Sequence, residues 1–162
     1  MPDPSAERIL LAHGGGGLAM RRLISEVILR RLGNPTLARM EDSAVLAPQR
    51  SRLAFTTDAF VVKPLFFRGG DIGRLAVCGT VNDLAAVGAQ PLALSLAMVI
   101  EEGLLVGDLD RILQSVAQAC SEAKVQVVAG DTKVVERGAA DGMFLATSGA
   151  ASGTTSANSS PP

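Results

Sequence analysis

The chain has 162 residues, with 15 Lys and Arg against 16 Asp and Glu, and a formal net charge of −1. That length suffices for one domain with a real core, and the near-zero charge leaves no electrostatic footprint for nucleic acid or an anionic membrane. Tyr and Trp are absent, which removes the usual base-stacking platforms as well.

In chain order, residues 1–8 are a polar lead-in without the character of a signal peptide. Ile9 to Ala12 reads as a short strand. Leu18 to Leu32 reads as a helix, with Leu23, Ile24, Val27 and Ile28 on helical spacing and Gly33-Asn34-Pro35 as its stop. Ala44 to Ala47 and Leu53 to Thr57 are short β-type runs joined through Pro48 to Arg52, and Phe60 to Val62 continues the pattern. Asp71 is placed to cap a mostly apolar helix from Ile72 to Val87. Leu92 to Ile100 is a nearly continuous apolar run, expected of a central strand buried on both faces. Asp108 to Lys124 is an amphipathic helix, with Leu109, Ile112, Leu113, Val116 and Cys120 on one face. Val125 to Ala129, Val134-Val135 and Met143 to Thr147 complete the strands. The stretch from Leu75 to Ile100 is broken by Asn82, Asp83 and Pro91, so no membrane span is expected. Cys78 and Cys120 read as core thiols of a reducing, cytoplasmic compartment. These elements define one α+β domain over residues 8–150, with a mixed or antiparallel sheet and helices on one face. Residues 151–162, ASGTTSANSSPP, have linker composition.

Chemistry concentrates in four places. HGGGG, residues 13–17, stands before a helix. It admits a relaxed dinucleotide fingerprint, a plain flexible turn, or a glycine loop whose backbone N–H groups close over phosphates. The Walker pattern fails, because no Gly-Lys-Ser/Thr follows. Asp58 ends the run LAFTTD, Asn82-Asp83 sits inside an apolar helix, and Asp131-Thr132-Lys133 follows Gly130. An amide and a carboxylate within an apolar helix are costly if merely buried and reasonable if they face a cation. Mg²⁺ takes carboxylates together with substrate phosphate oxygens, so the three acids and Lys133 compose a candidate metal–polyphosphate site. Read singly, each acid could be a cap or a solvated strand end.

The ordered set HGGGG, FTTDAFVVKPLFFRGGDIG, VCGTVNDLAAVGA and AGDTKVVERG resembles the N-terminal half of the HypE family of hydrogenase maturation proteins. That family lies in the superfamily of aminoimidazole ribonucleotide synthetase and selenophosphate synthetase. The resemblance runs from about Leu10 to Gly149. It implies a PurM N-terminal-domain-like half-barrel whose sheet pairs with a second copy to close a barrel. It implies ATP and Mg²⁺ as cofactors, and dehydration of a carbamoyl group on a C-terminal cysteine to make the cyanide ligand of NiFe hydrogenase. By the same resemblance Asp58, Asp83 and Asp131 are metal- or phosphate-site acids, and Asn82 orients that site. Lys133 neutralises phosphate charge or holds the group being phosphorylated, and with Asp83 carries catalysis. His13, Gly14, Gly15, Gly16 and Gly17 are the phosphate-covering loop, and Gly130 and Thr132 line the nucleotide. The implied partners are a second copy, the carbamoyltransferase HypF and the HypC–HypD complex, with no nucleic acid and no membrane.

Two features depart from the family. Its second domain and its terminal Pro-Arg-x-Cys-like tail have no counterpart in this sequence, so the chain is expected to be incompetent alone. Ala59 and Arg68 stand where the family often has Ser and Pro. The alternatives are a non-catalytic dimerising or docking module for hydrogenase maturation, and a dinucleotide-binding oxidoreductase domain.

Overall fold

A computed structural model describes residues 7–41, 43–46 and 52–153. Four strands form one sheet in the order β1-β6-β4-β5. They are β1 (Leu53–Phe60), β4 (Gln90–Glu101), β5 (Val127–Val135) and β6 (Met143–Ser152). β6 runs antiparallel to both β1 and β4, while β4 and β5 are parallel. A parallel pair needs a crossover, and α4 (Val106–Ala123) provides it.

Helices cover one face. In α4, Leu109, Ile112, Leu113 and Val116 are fully buried, and Lys124 closes the helix in the left-handed region at φ 55°. The short hairpin of β2 (Phe66–Phe67) and β3 (Gly70–Asp71) feeds α3 (Ile72–Ala86), whose first turn is capped by Asp71 accepting from the Arg74 N–H at 3.0 Å. The two helices approach closely at Gly73, where a Cβ would stand 2.6 Å from the Ile112 carbonyl oxygen. The N-terminal helix has three parts: α1 (Leu18–Leu23), a π-helical turn (Ile24–Ile28) and α2 (Leu29–Leu32). It buries Leu23, Val27, Ile28 and Leu32. Arg30 and Arg31 fasten it to α4 through Asp110. The expected α+β class, the mixed sheet and the one-sided helix layer are all present. Among the described residues no further strand pairs with the outer edge of β1 or of β5, so the sheet is a half-barrel that is not closed.

Several local expectations are corrected. Ile9 to Ala12 is not a strand of the sheet. Ile9 is fully buried and exchanges backbone hydrogen bonds with Gly103 and Leu104, after which Leu11–Gly14 turns as a 3-10 helix. Ala44, Val45 and Leu46 form no strand, and Ala47 to Ser51 lie outside the described residues. β4 is central, but only one face is fully covered: Leu94, Leu96, Met98 and Ile100 are buried, whereas Ser95, Ala97 and Val99 are half-buried. The pieces Val125 to Ala129 and Val134-Val135 are parts of one strand, with Asp131 in its middle. The sheet also outlasts the expected boundary, because Ala151 is fully buried and pairs with Ala54 and Pro91.

Candidate functional site

The first group of site residues lies where β1 meets α3. Ala54, Thr56, Asp58 and Phe60 alternate toward the helices, and the residues between them are exposed. Asp58 is in register with Thr147, which is buried and donates to the Ala76 carbonyl of α3 at 3.4 Å. Thr56 Oγ1 donates to Asp83 Oδ2 at 3.1 Å. One helical turn earlier stands Gly79. A Cβ there would meet the Phe60 ring at 2.8 Å and Asp58 Oδ2 at 3.8 Å. The two periodicities match: two strand residues advance about 6.8 Å and four helical residues about 6 Å. Thr56 therefore faces Asp83 while Asp58 faces Gly79. Among the described residues, the Asp58 carboxylate has no hydrogen-bond or ion-pair partner, and Asp83 Oδ1 has none either.

Of the two readings open for Asn82 and Asp83 within an apolar helix, mere burial does not apply; both are exposed. Their helix also exposes Leu75, and its C-cap residue Val87 is exposed too, so its apolar composition extends beyond the face it packs. Their position rests on the facing strand, not on a desolvation cost.

The second group lies at the β5 edge. Asp131 pairs in register with Ala97 and so projects from the face away from α3 and α4, together with Lys133. Lys133 Nζ is 3.6 Å from Asp131 Oδ1, and both side chains are well exposed. Thr132 points the other way and is buried. Gly130 has a packing reason of its own, since a Cβ would stand 2.5 Å from the Leu96 carbonyl oxygen.

The glycine run reaches this same edge. A Cβ on Gly14 would lie 2.6 Å from the Val134 backbone nitrogen, so this glycine is required by close approach to β5. Gly16 takes a positive φ of 80°, and Gly17 begins α1 without a side-chain cap. His13 turns back on its own loop and accepts the Leu10 N–H at Nδ1, at 2.9 Å. Only Gly15, Gly16 and Gly17 are exposed. A dinucleotide fingerprint needs a sheet strand immediately before its glycines; a 3-10 turn stands there instead, which removes that alternative's structural context.

The three acids thus fall into two groups, Asp58 and Asp83 at the β1 edge on the helix side and Asp131 at the β5 edge on the other face of the sheet. Three strand spacings, about 14 Å, separate β1 from β5. Among the described residues no group of three His, Cys, Asp or Glu is arranged to hold a metal. A single three-acid site of Asp58, Asp83 and Asp131, as expected from the sequence, is therefore not formed within one chain. Neither cysteine is a mobile nucleophile: Cys78 is half-buried in α3, and burial pushes the Cys120 thiol up to about 11. Thr56 and Gly79 were not among the expected site residues. Their signals were present in the spacing, two before Asp58 on a strand and four before Asp83 on a helix.

The AIR synthase related protein, N-terminal domain model matches residues 40–153. The carbamoyl dehydratase HypE of Rhodobacter capsulatus is 55% identical over 146 residues, covering 88% of this chain and 43% of the relative. A crystal structure of HypE in complex with ATP superposes with a TM-score of 0.86 at 49% identity, over 88% of this chain and 42% of that one. A HypE–HypF complex aligns at 0.62 and 53% identity, over 80% and 42%. The chain thus spans less than half the length of these relatives. No described helix is long and apolar enough to cross a membrane. The half-barrel, the matched segment and these similarities together establish that the chain belongs to the AIR synthase related protein N-terminal domain family, within which it is similar to the N-terminal part of HypE.

Proposed function

We propose that this chain is the ATP-binding N-terminal part of a HypE-like carbamoyl dehydratase in NiFe hydrogenase maturation, and that it takes ATP with Mg²⁺. The observation that carries this reading is the β1–α3 edge, where, among the described residues, half-buried Asp58 has no partner and Asp83 keeps one oxygen free. A hard divalent ion accepts such oxygens together with those of phosphate. At the other edge the uncapped N–H groups at the start of α1 favour an anion. The loose, exposed Asp131–Lys133 pair can release the ammonium to a phosphate at little cost. Bound MgATP would supply the phosphoryl group that activates an amide-type oxygen. The part played by this chain is to hold the phosphates and neutralise their charge, as phosphoryl transfer demands.

The reading includes a second copy. The face of the sheet without helices exposes Leu53 and Phe55 at 64% and 73%, beside half-buried Ala97, Val99, Phe144 and Ala146. An apolar sheet face of this kind favours cover by another layer. Closing a barrel from two such half-barrels joins the edge strands of one copy to those of the other, so the residues on β1 and β5 both come to lie along the seams. HypF is proposed as a protein partner on the strength of the HypE–HypF complex.

Calorimetric titration of ATP with Mg²⁺ and with EDTA, beside light scattering of the chain, tests the reading. Tighter ATP binding in Mg²⁺ by a dimer, lost in Asp58→Asn, is expected. Equal affinity in the two buffers would overturn it.

A further inference from the structure

Asp83 is exposed on a helix surface, where an aspartate ordinarily samples several rotamers. Here one of its oxygens is held. Thr56 belongs to a strand whose backbone register is fixed, with Thr56 opposite Gly149 of β6. Its β-branched side chain is stiff at χ1. On the other side α3 is pinned by Thr80 and Leu84, at 0% and 1% exposure. A hydrogen bond of 3.1 Å from Thr56 Oγ1 to Asp83 Oδ2 therefore joins two rigid elements. It occupies Oδ2 and leaves Oδ1 without a protein partner among the described residues. Asp58 projects from the same face of β1, two residues further on.

We infer that Thr56 is a positioning residue: its hydroxyl fixes the Asp83 carboxylate so that the free oxygen, together with Asp58, is presented to a divalent cation. The inference rests on the Mg²⁺–ATP reading above. A hydroxyl donating to a ligating carboxylate orients it and is typically worth about 10- to 100-fold in metal affinity. The same bond, exposed to water, contributes little to folding. A purely structural role and a positioning role therefore predict different outcomes.

The experiment is calorimetric titration of ATP in Mg²⁺ and in EDTA, with unliganded melting curves. Thr56→Val removes the hydroxyl at nearly constant volume. It is expected to reduce the Mg²⁺-dependent gain in ATP affinity roughly tenfold, leaving affinity in EDTA and the melting temperature unchanged. Thr56→Ser should restore the gain, and Thr56→Val should add nothing in an Asp83→Asn background. A wild-type gain undiminished in Thr56→Val, or diminished equally with and without Asp83, overturns the inference alone. A wild-type chain with no Mg²⁺-dependent gain overturns the Mg²⁺–ATP reading and this inference with it. Should Thr56→Val fail to fold, Thr56→Ala run through the same cycle decides between the same outcomes.

Discussion

The two edges of the sheet carry their candidate site residues in opposite ways. At the β1 edge the side chains are set by a strand packed on a helix: Thr56 braces Asp83, and Asp58 stands over a glycine. At the β5 edge the backbone is what fits closely, with Gly14 against Val134 and Gly130 against Leu96, while Asp131 and Lys133 extend into solvent. Charge at the first edge is therefore built into the packing. At the second it is independent of packing, and the glycines there answer to the fold as well as to any ligand. Substitutions at the two edges should separate stability from binding in opposite senses.

The largest effect is expected at the backbone of the β5 edge. In Gly14→Ala the new Cβ meets the Val134 nitrogen at 2.6 Å and its Cα at 3.3 Å. Neither atom can turn aside, so the loop or the strand must shift. Overpacking of this kind costs about 1–3 kcal/mol, and a loss of about 2 kcal/mol is expected in urea unfolding. A loss below about 0.5 kcal/mol would mean that the loop is not held against β5.

Next comes the clamp that holds the N-terminal helix, and with it the glycine run, to the body of the domain. Hydrogen bonding from Arg31, with Arg30 adding to it, lowers the Asp110 carboxyl to about 2. A carboxyl whose folded pKa lies below its unfolded value stabilises the fold above about pH 4 and loses that contribution as pH falls through about 2. After discounting for the exposed arginines, Asp110→Asn should cost about 1 kcal/mol at neutral pH. The difference between wild type and variant should shrink between pH 4 and pH 2. A constant difference across that range would show that the carboxylate charge is not what fastens α2 to α4.

The contrast between the edges also explains what the sequence made legible. The helices from Leu18, Ile72 and Asp108 were readable because they are rich in apolar residues at helical spacing, and for α3 because its cap, Asp71, is local. The continuous strand from Val127 to Val135 was not. Gly130-Asp131 reads as punctuation, and only the close approach of Leu96 explains a glycine inside a strand. Asp58, Asp83 and Asp131 were identifiable by residue type and motif, but their division between two edges depends on strand order, which local pattern does not encode. The exposure of Asn82-Asp83 was not legible for a related reason. α3 is apolar beyond the face it packs, and composition alone does not say which face meets the sheet.

At the β1 edge the glycine is less constrained. Gly79→Ala brings a Cβ to 2.8 Å from the Phe60 ring, but a ring can rotate or slide where a backbone atom cannot. The expected cost is about 1 kcal/mol, half that of Gly14→Ala. The larger consequence should be functional, because Phe60 and Asp58 share β1 and shift together. Weaker Mg²⁺-dependent ATP binding with a melting temperature only slightly reduced would match the packing described. A cost equal to that of Gly14→Ala would remove the distinction between the two edges.

The smallest effect on stability is expected where the charges are most exposed. The Lys133–Asp131 contact spans 3.6 Å, and its side chains are 63% and 59% exposed. Water screens such a pair, and ordering two side chains offsets much of the attraction, so exposed pairs contribute about 0–1 kcal/mol. Asp131 Oδ1 also accepts the Thr132 N–H at 2.9 Å, so the carboxylate keeps a partner when the ammonium is removed. Lys133→Met keeps most of the side-chain volume and should change unfolding free energy by less than about 0.5 kcal/mol. If Lys133 serves phosphate, ATP affinity should fall in the same variant while the fold is untouched. A stability loss above about 1.5 kcal/mol would make the lysine a structural residue of β5, and the β5 edge would then lose the cationic group on which its proposed phosphate-holding role depends.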